Sequence, residues 1–314
     1  MKPFGTICFA VVLIAASDHF PKFVLYRSTH FHELRKVMGT SKYIDSSAAF
    51  LFEVPGSNSP LVVQELQIGG TGIAAATEIP PNERRSGYTF MTPDTQAIQD
   101  DDTANPGMLW VLDGESLWKN KAGAANKSCA DCHNDASTTM KGVAARYPAL
   151  DKTLGRPVNL EQRVNLCRAR HQEASPLAYE SRDLLALTAF VAKQSRGMAI
   201  TPDDTAELQP FIAKGRDFFM KRQGQLNLGC TNCHDDNWDK HLAGSAVTQA
   251  LPIGYPIYRL EWQSMGSLQR RLRNCITGIR ARNYDYGAPE LVELELYLMS
   301  RASGMPIETP AVRP

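Results

Sequence analysis

The sequence carries almost no net charge. Its 314 residues include 34 lysines and arginines against 33 aspartates and glutamates, which gives a formal net charge of +1 at pH 7. Attraction to nucleic acid or to an anionic membrane normally depends on an excess of basic residues. We therefore expect no nucleic-acid partner and no anionic membrane as the main partner. The length leaves room for two domains of ordinary size, each with its own core.

The apolar run near the amino terminus is too short to cross a bilayer comfortably. Residues 7–16 are apolar, follow the basic residue Lys2 and lead into the small residues Ala15-Ala16-Ser17. A basic residue, a short apolar run and a small-residue site indicate a secretory signal peptide. We predict a signal peptide over residues 1–17, export to the periplasm and no membrane span after processing. The alternative is a buried amino-terminal strand.

No obvious pair of cysteines is left for a structural disulfide. Of the seven cysteines, Cys8 lies in the apolar run, and the other six form two sets of three. In each set two cysteines enclose two residues, a histidine follows at once, and a third cysteine comes later: Cys129, Cys132, His133 and Cys167, then Cys230, Cys233, His234 and Cys275. One explanation has to account for both sets.

The Cys-x-x-Cys-His pattern is typical of covalent haem attachment. Two cysteines three positions apart can bond to both vinyl groups of a haem, and the histidine is then presented to the iron. A zinc site would need two more ligands near each motif, and a redox-active cysteine pair has no use for the fixed histidine. The sequence therefore predicts two covalently bound haem c groups, attached at Cys129 and Cys132 and at Cys230 and Cys233. Covalent haem attachment also favours export.

The sequence around the two motifs repeats. Two glycines and an asparagine precede each motif, and the second copy follows the first by 101 positions without a gap: Gly114, Gly123, Asn126 and Cys129, then Gly215, Gly224, Asn227 and Cys230. After each motif a Tyr-Pro pair precedes the third cysteine by 20 residues, from Tyr147 to Cys167 and from Tyr255 to Cys275. The chain therefore contains two copies of one structural unit.

The order of elements in each copy is the plan of a small cytochrome c domain. Apolar residues at helical spacing over 184–194 and 291–299 predict a closing helix in each half, with glycine shortly after it. We predict a mainly α chain with two tandem cytochrome c-like domains, at residues 86–200 and 201–314, the second holding the active-site haem. Residues 18–85 form an amino-terminal extension of uncertain structure. Trp118 and Phe219 are expected in the cores.

The third cysteine of each set is the candidate for the remaining axial position of the iron. An ordinary electron-transfer cytochrome c uses a methionine there. The methionines of this chain either follow the closing helices or do not match between the halves: Met198 and Met305, then Met140 and Met265. The cysteines do match, so we predict that the axial pairs are His133 with Cys167 and His234 with Cys275. The alternatives are buried inert thiols or a disulfide between Cys167 and Cys275. Thiolate ligation lowers the iron potential, which implies a partner cytochrome as acceptor.

An arginine stands four residues before each third cysteine, at Arg163 and Arg271. On a helix this spacing places both side chains on one face. Arginine can stabilise a thiolate or orient an oxyanion through two hydrogen bonds. Its presence in both halves equally favours a shared task, such as pairing a haem propionate. The surroundings of Cys275 are the more basic ones and suit an anionic substrate, with Arg270, Arg273, Arg280 and Arg282 against Arg168 and Arg170 near Cys167.

Together these residues resemble the dihaem SoxA subunit of the SoxAX cytochromes of bacterial sulfur oxidation. The similarity covers roughly residues 86–313 and extends well beyond the haem motifs. It includes Asn105-Pro106-Gly107, Leu117-Trp118, Asn159-Leu160-Glu161, Asn165-Leu166-Cys167-Arg168, Ala178-Tyr179-Glu180-Ser181, Gln194-Ser195-Arg196-Gly197, Gly224-Gln225-Leu226-Asn227, Tyr258-Arg259-Leu260-Glu261-Trp262-Gln263 and Glu295-Leu296-Tyr297-Leu298.

The resemblance implies an L-cysteine S-thiosulfotransferase. Such an enzyme joins thiosulfate oxidatively to a cysteine of a SoxYZ-type sulfur carrier, and two electrons pass to haem, to a SoxX-type monohaem cytochrome c in a heterodimer, and then to a soluble cytochrome c. Carried over by position, Cys275 would bear a persulfide and ligate iron opposite His234, and Arg271 would bind substrate. His133 and Cys167 would ligate the first haem, which we expect to be mainly structural or a reserve electron site.

Three other functions are compatible with two haem motifs. A plain dihaem electron carrier would favour methionine ligands and needs no basic residues near Cys275. A dihaem peroxidase requires an open or openable iron site, against which the two matched cysteines argue. A haem-thiolate sensor would lack conjugation that depends on a partner. The resemblance favours the sulfur-transfer enzyme.

Overall fold

The computed structural model describes residues 79–203 and 205–314, together with four short strands before them. These strands form two antiparallel pairs, β1 (Phe9–Ile14) with β2 (Lys22–Arg27) and β3 (Leu51–Phe52) with β4 (Leu61–Val62). Apart from these strands, the predicted signal peptide and most of the extension at 18–85 lie outside the described residues. Signal-peptide cleavage and the domain boundaries stay predictions.

The chain divides into two compact units, Met1–Gly72 and Ile73–Pro314, and both haem motifs lie in the second. The first half of this unit contains six helices and one hairpin among its described residues. They are α1 (Pro93–Asp100), α2 (Met108–Lys119), α3 (Ala130–His133), α4 (Ala136–Thr139), β5 (Ala149–Asp151), β6 (Arg156–Val158), α5 (Leu160–Cys167) and α6 (Arg182–Lys193). Short 3-10 turns cover Pro81–Glu83, Gly87–Phe90 and Ala144–Arg146, and a π-helical turn covers Arg168–Gln172.

The second half repeats this order. Its elements are α7 (Gln209–Met220), α8 (Cys230–His234), β7 (His241–Leu242), β8 (Ser245–Ala246), β9 (Ile257–Arg259), β10 (Ser264–Gly266), α9 (Leu268–Gly278), α10 (Pro289–Arg301) and β11 (Ala311–Arg313). The β7–β8 hairpin lies where the second half is longer than the first. The predicted mainly α fold with two tandem cytochrome c-like domains is confirmed.

In each half the helix before the haem motif crosses the closing helix at a glycine. A Cβ on Gly114 of α2 would lie 2.1 Å from the carbonyl oxygen of Ala186 in α6. A Cβ on Gly215 of α7 would lie 2.0 Å from the carbonyl oxygen of Glu293 in α10. Only glycine permits so close an approach of two backbones. Gly114 and Gly215, which occupy the same position of the repeat, therefore allow the close crossing of the two helices next to each Cys-x-x-Cys-His motif.

The helices that carry the third cysteines begin at well-formed caps. Asn159 caps α5 by accepting a hydrogen bond from the backbone N–H of Gln162 at 2.9 Å, and the side chain of Gln162 accepts in return from the N–H of Asn159. Ser267 caps α9 by accepting from the N–H of Arg270 at 3.1 Å. These caps satisfy backbone groups that the first helical turn leaves free. Each helix start is thereby fixed a few residues before its arginine and its cysteine.

The carboxyl-terminal strand β11 completes a three-stranded sheet in the second half. It pairs parallel with β9, with Val312 opposite Tyr258, and β9 pairs antiparallel with β10. Ala311 and Val312 are fully buried. The sheet joins β11 to the β9–β10 hairpin, whose first strand ends at Arg259.

A pair of packed aromatic side chains lies in the core of each half. In the first, Trp118 packs on Phe190 with ring centroids 5.8 Å apart, and in the second Phe219 packs on Tyr297 at 5.5 Å. The core positions predicted for Trp118 and Phe219 are confirmed, since these side chains are 5% and 1% exposed. No helix among the described residues has the length and apolar character needed to span a membrane.

A cavity of about 70 Å³ between the two halves is lined by two buried carboxyl groups, Glu161 of α5 and Glu295 of α10. Oε1 of Glu295 accepts hydrogen bonds from Nε2 of Gln269 at 2.6 Å and from Nδ2 of Asn159 at 3.1 Å. Burial raises the pKa of both carboxyl groups, and the charge of Glu161 further raises that of Glu295. Both groups therefore keep their proton to a higher pH in the folded protein than in the unfolded chain.

Candidate haem-thiolate site

The histidine of the second motif is held by the backbone. Nδ1 of His234 donates a hydrogen bond to the carbonyl oxygen of Thr248 at 2.5 Å. This bond fixes the tautomer and leaves Nε2 free to act as a ligand. The segment after the motif is anchored as well, because Oδ1 of Asp235 lies 2.6 Å from Nη2 of Arg301 in α10. The ring of His234 therefore has a defined orientation.

Cys275 faces His234 from the last turns of α9. Burial raises the pKa of the Cys275 thiol, but its hydrogen bond with His234 and the positive charges of Arg271 and Arg259 more than offset this effect, so the pKa lies below its ordinary value. The structure thus brings the predicted histidine and cysteine together and places positive charge beside the sulfur. The two motif cysteines are near the same point, since Cys275 affects the pKa of both Cys230 and Cys233.

The first half assembles its cysteines in the same way but leaves the histidine more open. Burial raises the pKa of Cys129 and of Cys167, and each thiol lies within electrostatic reach of another cysteine of its set. His133 is exposed, with its ring 5.7 Å from that of Trp118. Among the described contacts His133 has no hydrogen bond with Cys167, in contrast to His234 with Cys275.

The donor set of each half fits a covalently bound haem. All six cysteines of the described residues are free thiols, so the alternative of a disulfide between Cys167 and Cys275 is wrong. In the second half an imidazole and a thiol face each other beside two further thiols, which supplies one pair of axial donors and one pair of attachment points. The alternative ligand Met265 is fully buried in the hydrophobic core that includes Trp110.

The arginines four residues before the third cysteines have different partners. Nη1 of Arg163 lies 3.0 Å from Oδ2 of Asp151, and its Nε donates to the Tyr147 hydroxyl at 3.1 Å. Arg271 forms no ion pair with any described carboxylate. The sequence analysis proposed neither Asp151 nor Arg259 as a site residue. In the structure Asp151 contacts Arg163, and the charge of Arg259 acts on Cys275. Asp151 and Arg259 occupy corresponding positions of the repeat, because each lies four residues after the tyrosine of its Tyr-Pro pair.

Comparison with known proteins agrees with this architecture. A family model described as SoxA/TsdA, cytochrome c domain, matches residues 113–200 and 214–307. The L-cysteine S-thiosulfotransferase subunit SoxA of Pseudaminobacter salicylatoxidans is 37% identical over 266 residues, which cover 84% of this chain and 93% of that protein. The chain belongs to the SoxA family. The SoxA subunit of Rhodovulum sulfidophilum is also 37% identical, over 74% of this chain and 81% of that protein.

A solved SoxA-containing structure has the same fold. The crystal structure of SoxXA from P. pantotrophus superposes with a TM-score of 0.71 at 30% sequence identity, and the match covers 74% of this chain and 87% of that chain. The two cytochrome c domain matches each contain one Cys-x-x-Cys-His motif. The cytochrome c domains of the family thus coincide with the two halves described above.

Proposed function

We propose that this chain is the catalytic, dihaem subunit of an L-cysteine S-thiosulfotransferase. It oxidatively conjugates thiosulfate to a cysteine of a sulfur-carrier protein. The observation that carries the proposal is the contact between Cys275 and His234 beside Arg271, in a chain of the SoxA family. Arg271, which has no ion pair with a described carboxylate, can attract an anion toward this thiol. The similar proteins from Pseudaminobacter and Rhodovulum bear the same enzyme name.

Two haem c groups are part of the proposal. One would be attached at Cys129 and Cys132 with His133 and Cys167 as axial ligands, and the other at Cys230 and Cys233 with His234 and Cys275. When bound, haem supplies an iron that accepts one electron at a time, at a potential lowered by a thiolate ligand. The protein fixes the tautomer of His234 through Thr248 and orients Cys275 through α9.

The overall reaction forms one sulfur–sulfur bond. The thiol of the carrier cysteine and the outer sulfur of thiosulfate become joined, and one proton and two electrons are released. Cys275 would bear a persulfide whose extra sulfur is not taken from the thiosulfate and stays on Cys275 when the conjugate leaves, and Arg271 would neutralise charge as the dianion approaches. Because thiolate and thiosulfate repel each other, a cation at this place is the main electrostatic requirement of the site.

The release of electrons requires partners. We propose a heterodimer with a SoxX-type monohaem cytochrome c, a SoxYZ-type protein as the sulfur carrier, and a soluble cytochrome c as the final acceptor. The reaction would take place in the periplasm after removal of a signal peptide at residues 1–17. The extension at 18–85 and the domain boundaries at 86–200 and 201–314 are part of the same proposal.

The experiment that tests this function is a conjugation assay with purified components. Haem-loaded protein, partner cytochrome, carrier and thiosulfate are mixed with oxidised cytochrome c, and the carrier is analysed by intact mass. We expect the carrier to gain one thiosulfate. Two molecules of cytochrome c should be reduced for each conjugate formed, because each accepts one electron. A plain electron carrier would give neither conjugation nor thiosulfate-dependent reduction of the cytochrome, and intact mass of the subunit reports its number of haems.

A further inference from the structure

The residues around Cys167 and those around Cys275 can be aligned position by position without a gap. The hairpins β5–β6 and β9–β10 precede α5 and α9 at the same spacing, and the last residue of the first strand is Asp151 in one half and Arg259 in the other. Asp151 pairs with Arg156 across its hairpin, and Arg259 pairs with Ser264 at the same register. An acid in the first half is therefore replaced by an arginine in the second.

In the first half this acid offsets the charges of two arginines near Cys167. The Asp151 side chain is 3% exposed and lies 3.0 Å from Nη1 of Arg163 and 3.4 Å from Nη1 of Arg170. Its remaining hydrogen bonds come from the backbone N–H groups of Thr153 and Leu154. Arg163 therefore lies beside a buried carboxylate that offsets its charge, which disfavours an external anion at this position.

In the second half the corresponding arginines have no buried carboxylate partner among the described residues. The position of Asp151 is taken by Arg259, and that of Arg170 by Gly278. Arg259 is 8% exposed, and its Nε has no hydrogen-bond partner. Its nearest carboxylate is Glu261, with 3.4 Å between Nε and Oε1, but the Glu261 side chain is 48% exposed and accepts no hydrogen bond from it. The ring of Trp262, 5.3 Å from the guanidinium carbon, shields another side of Arg259.

Two guanidinium groups near one thiol constitute an anion site. The charges of Arg259 and Arg271 act on each other and on Cys275. A buried cation whose carboxylate partner is exposed and accepts no hydrogen bond from it remains costly, and a second cation nearby adds repulsion, so an anion between them would relieve both effects. Guanidinium groups bind planar or tetrahedral oxyanions through two parallel hydrogen bonds. The sulfonate end of thiosulfate has the required charge and oxygen atoms.

We propose that Arg259 acts with Arg271 as a second substrate-binding residue, which holds the sulfonate of thiosulfate while its outer sulfur points to Cys275. This inference rests on the proposed function. It adds a reason why thiosulfate would bind at the site around Cys275 and not at the site around Cys167. In the first site Asp151 occupies the place of the second arginine. The anion that the arginines attract could otherwise be a haem propionate, which the experiment has to distinguish.

The test measures thiosulfate binding by calorimetry on the haem-loaded heterodimer without carrier, so that no turnover occurs. Loss of a charge-assisted hydrogen bond pair is expected to weaken binding about tenfold or more in Arg259→Gln. Arg259→Asp should weaken it further, because the new acid would pair with Arg271 as Asp151 pairs with Arg163. The matched control is Arg146→Gln, which removes the same charge from an exposed arginine of the first half. It is expected to bind thiosulfate as the wild type does.

Haem content and midpoint potential are measured on the same samples. An unchanged thiosulfate Kd in Arg259→Gln overturns the inference, and a shifted potential with unchanged Kd assigns Arg259 to a haem propionate. If Arg259→Gln does not retain haem, the Kd of Arg259→Lys tests the inference instead. This variant keeps the positive charge but loses the two parallel N–H donors of the guanidinium group. Its Kd should rise severalfold, and an unchanged Kd would again contradict the inference. Absence of conjugation by the wild type would refute the proposed function, independently of these Kd differences.

Discussion

The carbonyl oxygen of Glu293 lies 2.0 Å from the point that a Cβ atom on Gly215 would occupy. Gly114 and Ala186 have the same relationship in the first half, at 2.1 Å. The two helices that frame each haem motif are therefore in backbone contact. Any side chain at these glycines would push the closing helix away from the motif.

Gly215→Ala is expected to lower the free energy of unfolding by about 3 kcal/mol, because backbone atoms cannot move aside as a flexible side chain would. The measurement is urea denaturation followed by circular dichroism. Gly278→Ala serves as the control, since an added Cβ there meets no atom within 4 Å. Equal stability of the two variants would show that the crossing at Gly215 is looser than described.

A second prediction concerns the nearly buried ion pair between Arg301 and Asp235, whose side chains are 5% and 9% exposed. Arg301→Met leaves the Asp235 carboxylate without its partner, which is expected to cost about 3 kcal/mol. The double variant with Asp235→Leu should recover part of this loss, because it removes the unpaired charge as well. Additive effects of the two substitutions in a double-mutant cycle would mean that the pair does not couple α10 to the motif.

Glu295 gives a prediction about pH. Burial raises its pKa above the ordinary value of 4.5, and the charge of Glu161 acts in the same direction. The folded state therefore binds the proton more tightly than the unfolded chain does, so the free energy of unfolding falls as the pH rises above 4.5. Glu295→Gln removes this dependence and still accepts from Gln269 and Asn159 through Oε1.

The difference in free energy of unfolding between pH 5 and pH 8 should accordingly shrink by at least about 1.4 kcal/mol in Glu295→Gln, the equivalent of one pKa unit. Denaturation curves at the two pH values measure it. Glu290→Gln, an exposed glutamate at the start of the same helix, should leave the difference unchanged. A pH dependence in Glu295→Gln equal to that of the wild type would show that Glu295 is ionised in the folded protein.

Much of the fold follows from local sequence. The motif cysteines and histidines are adjacent in the chain, so the proximity of Cys230, Cys233 and His234 could be predicted without a structure. The closing helix α10 follows from apolar residues at helical spacing, and its start is marked by Pro289 at the first position. The repeat adds Cys275, because a third cysteine recurs at the same spacing in both halves.

Other features depend on contacts between distant segments. Several basic residues lie near Cys167, and the sequence does not show that Asp151 pairs with Arg163. Without that pairing, the presence of Arg259 at the position that corresponds to Asp151 could not be interpreted. Burial of Glu295 depends on Asn159, 136 residues away. The strand β11 is only three residues long and forms because β9 offers it a free edge. Such long-range pairings leave no periodic signal in the sequence.

The central claim is that the sulfur of Cys275 takes part in the chemistry, whereas that of Cys167 does not. The most direct measurement is the amount of thiosulfate conjugated to the carrier protein, read by intact mass, with Cys275→Ser and Cys167→Ser each compared with the wild type in the presence of the partner cytochrome. We expect no conjugation with Cys275→Ser, and conjugation retained with Cys167→Ser as long as its second haem is attached. Conjugation at the wild-type rate by Cys275→Ser would contradict the account.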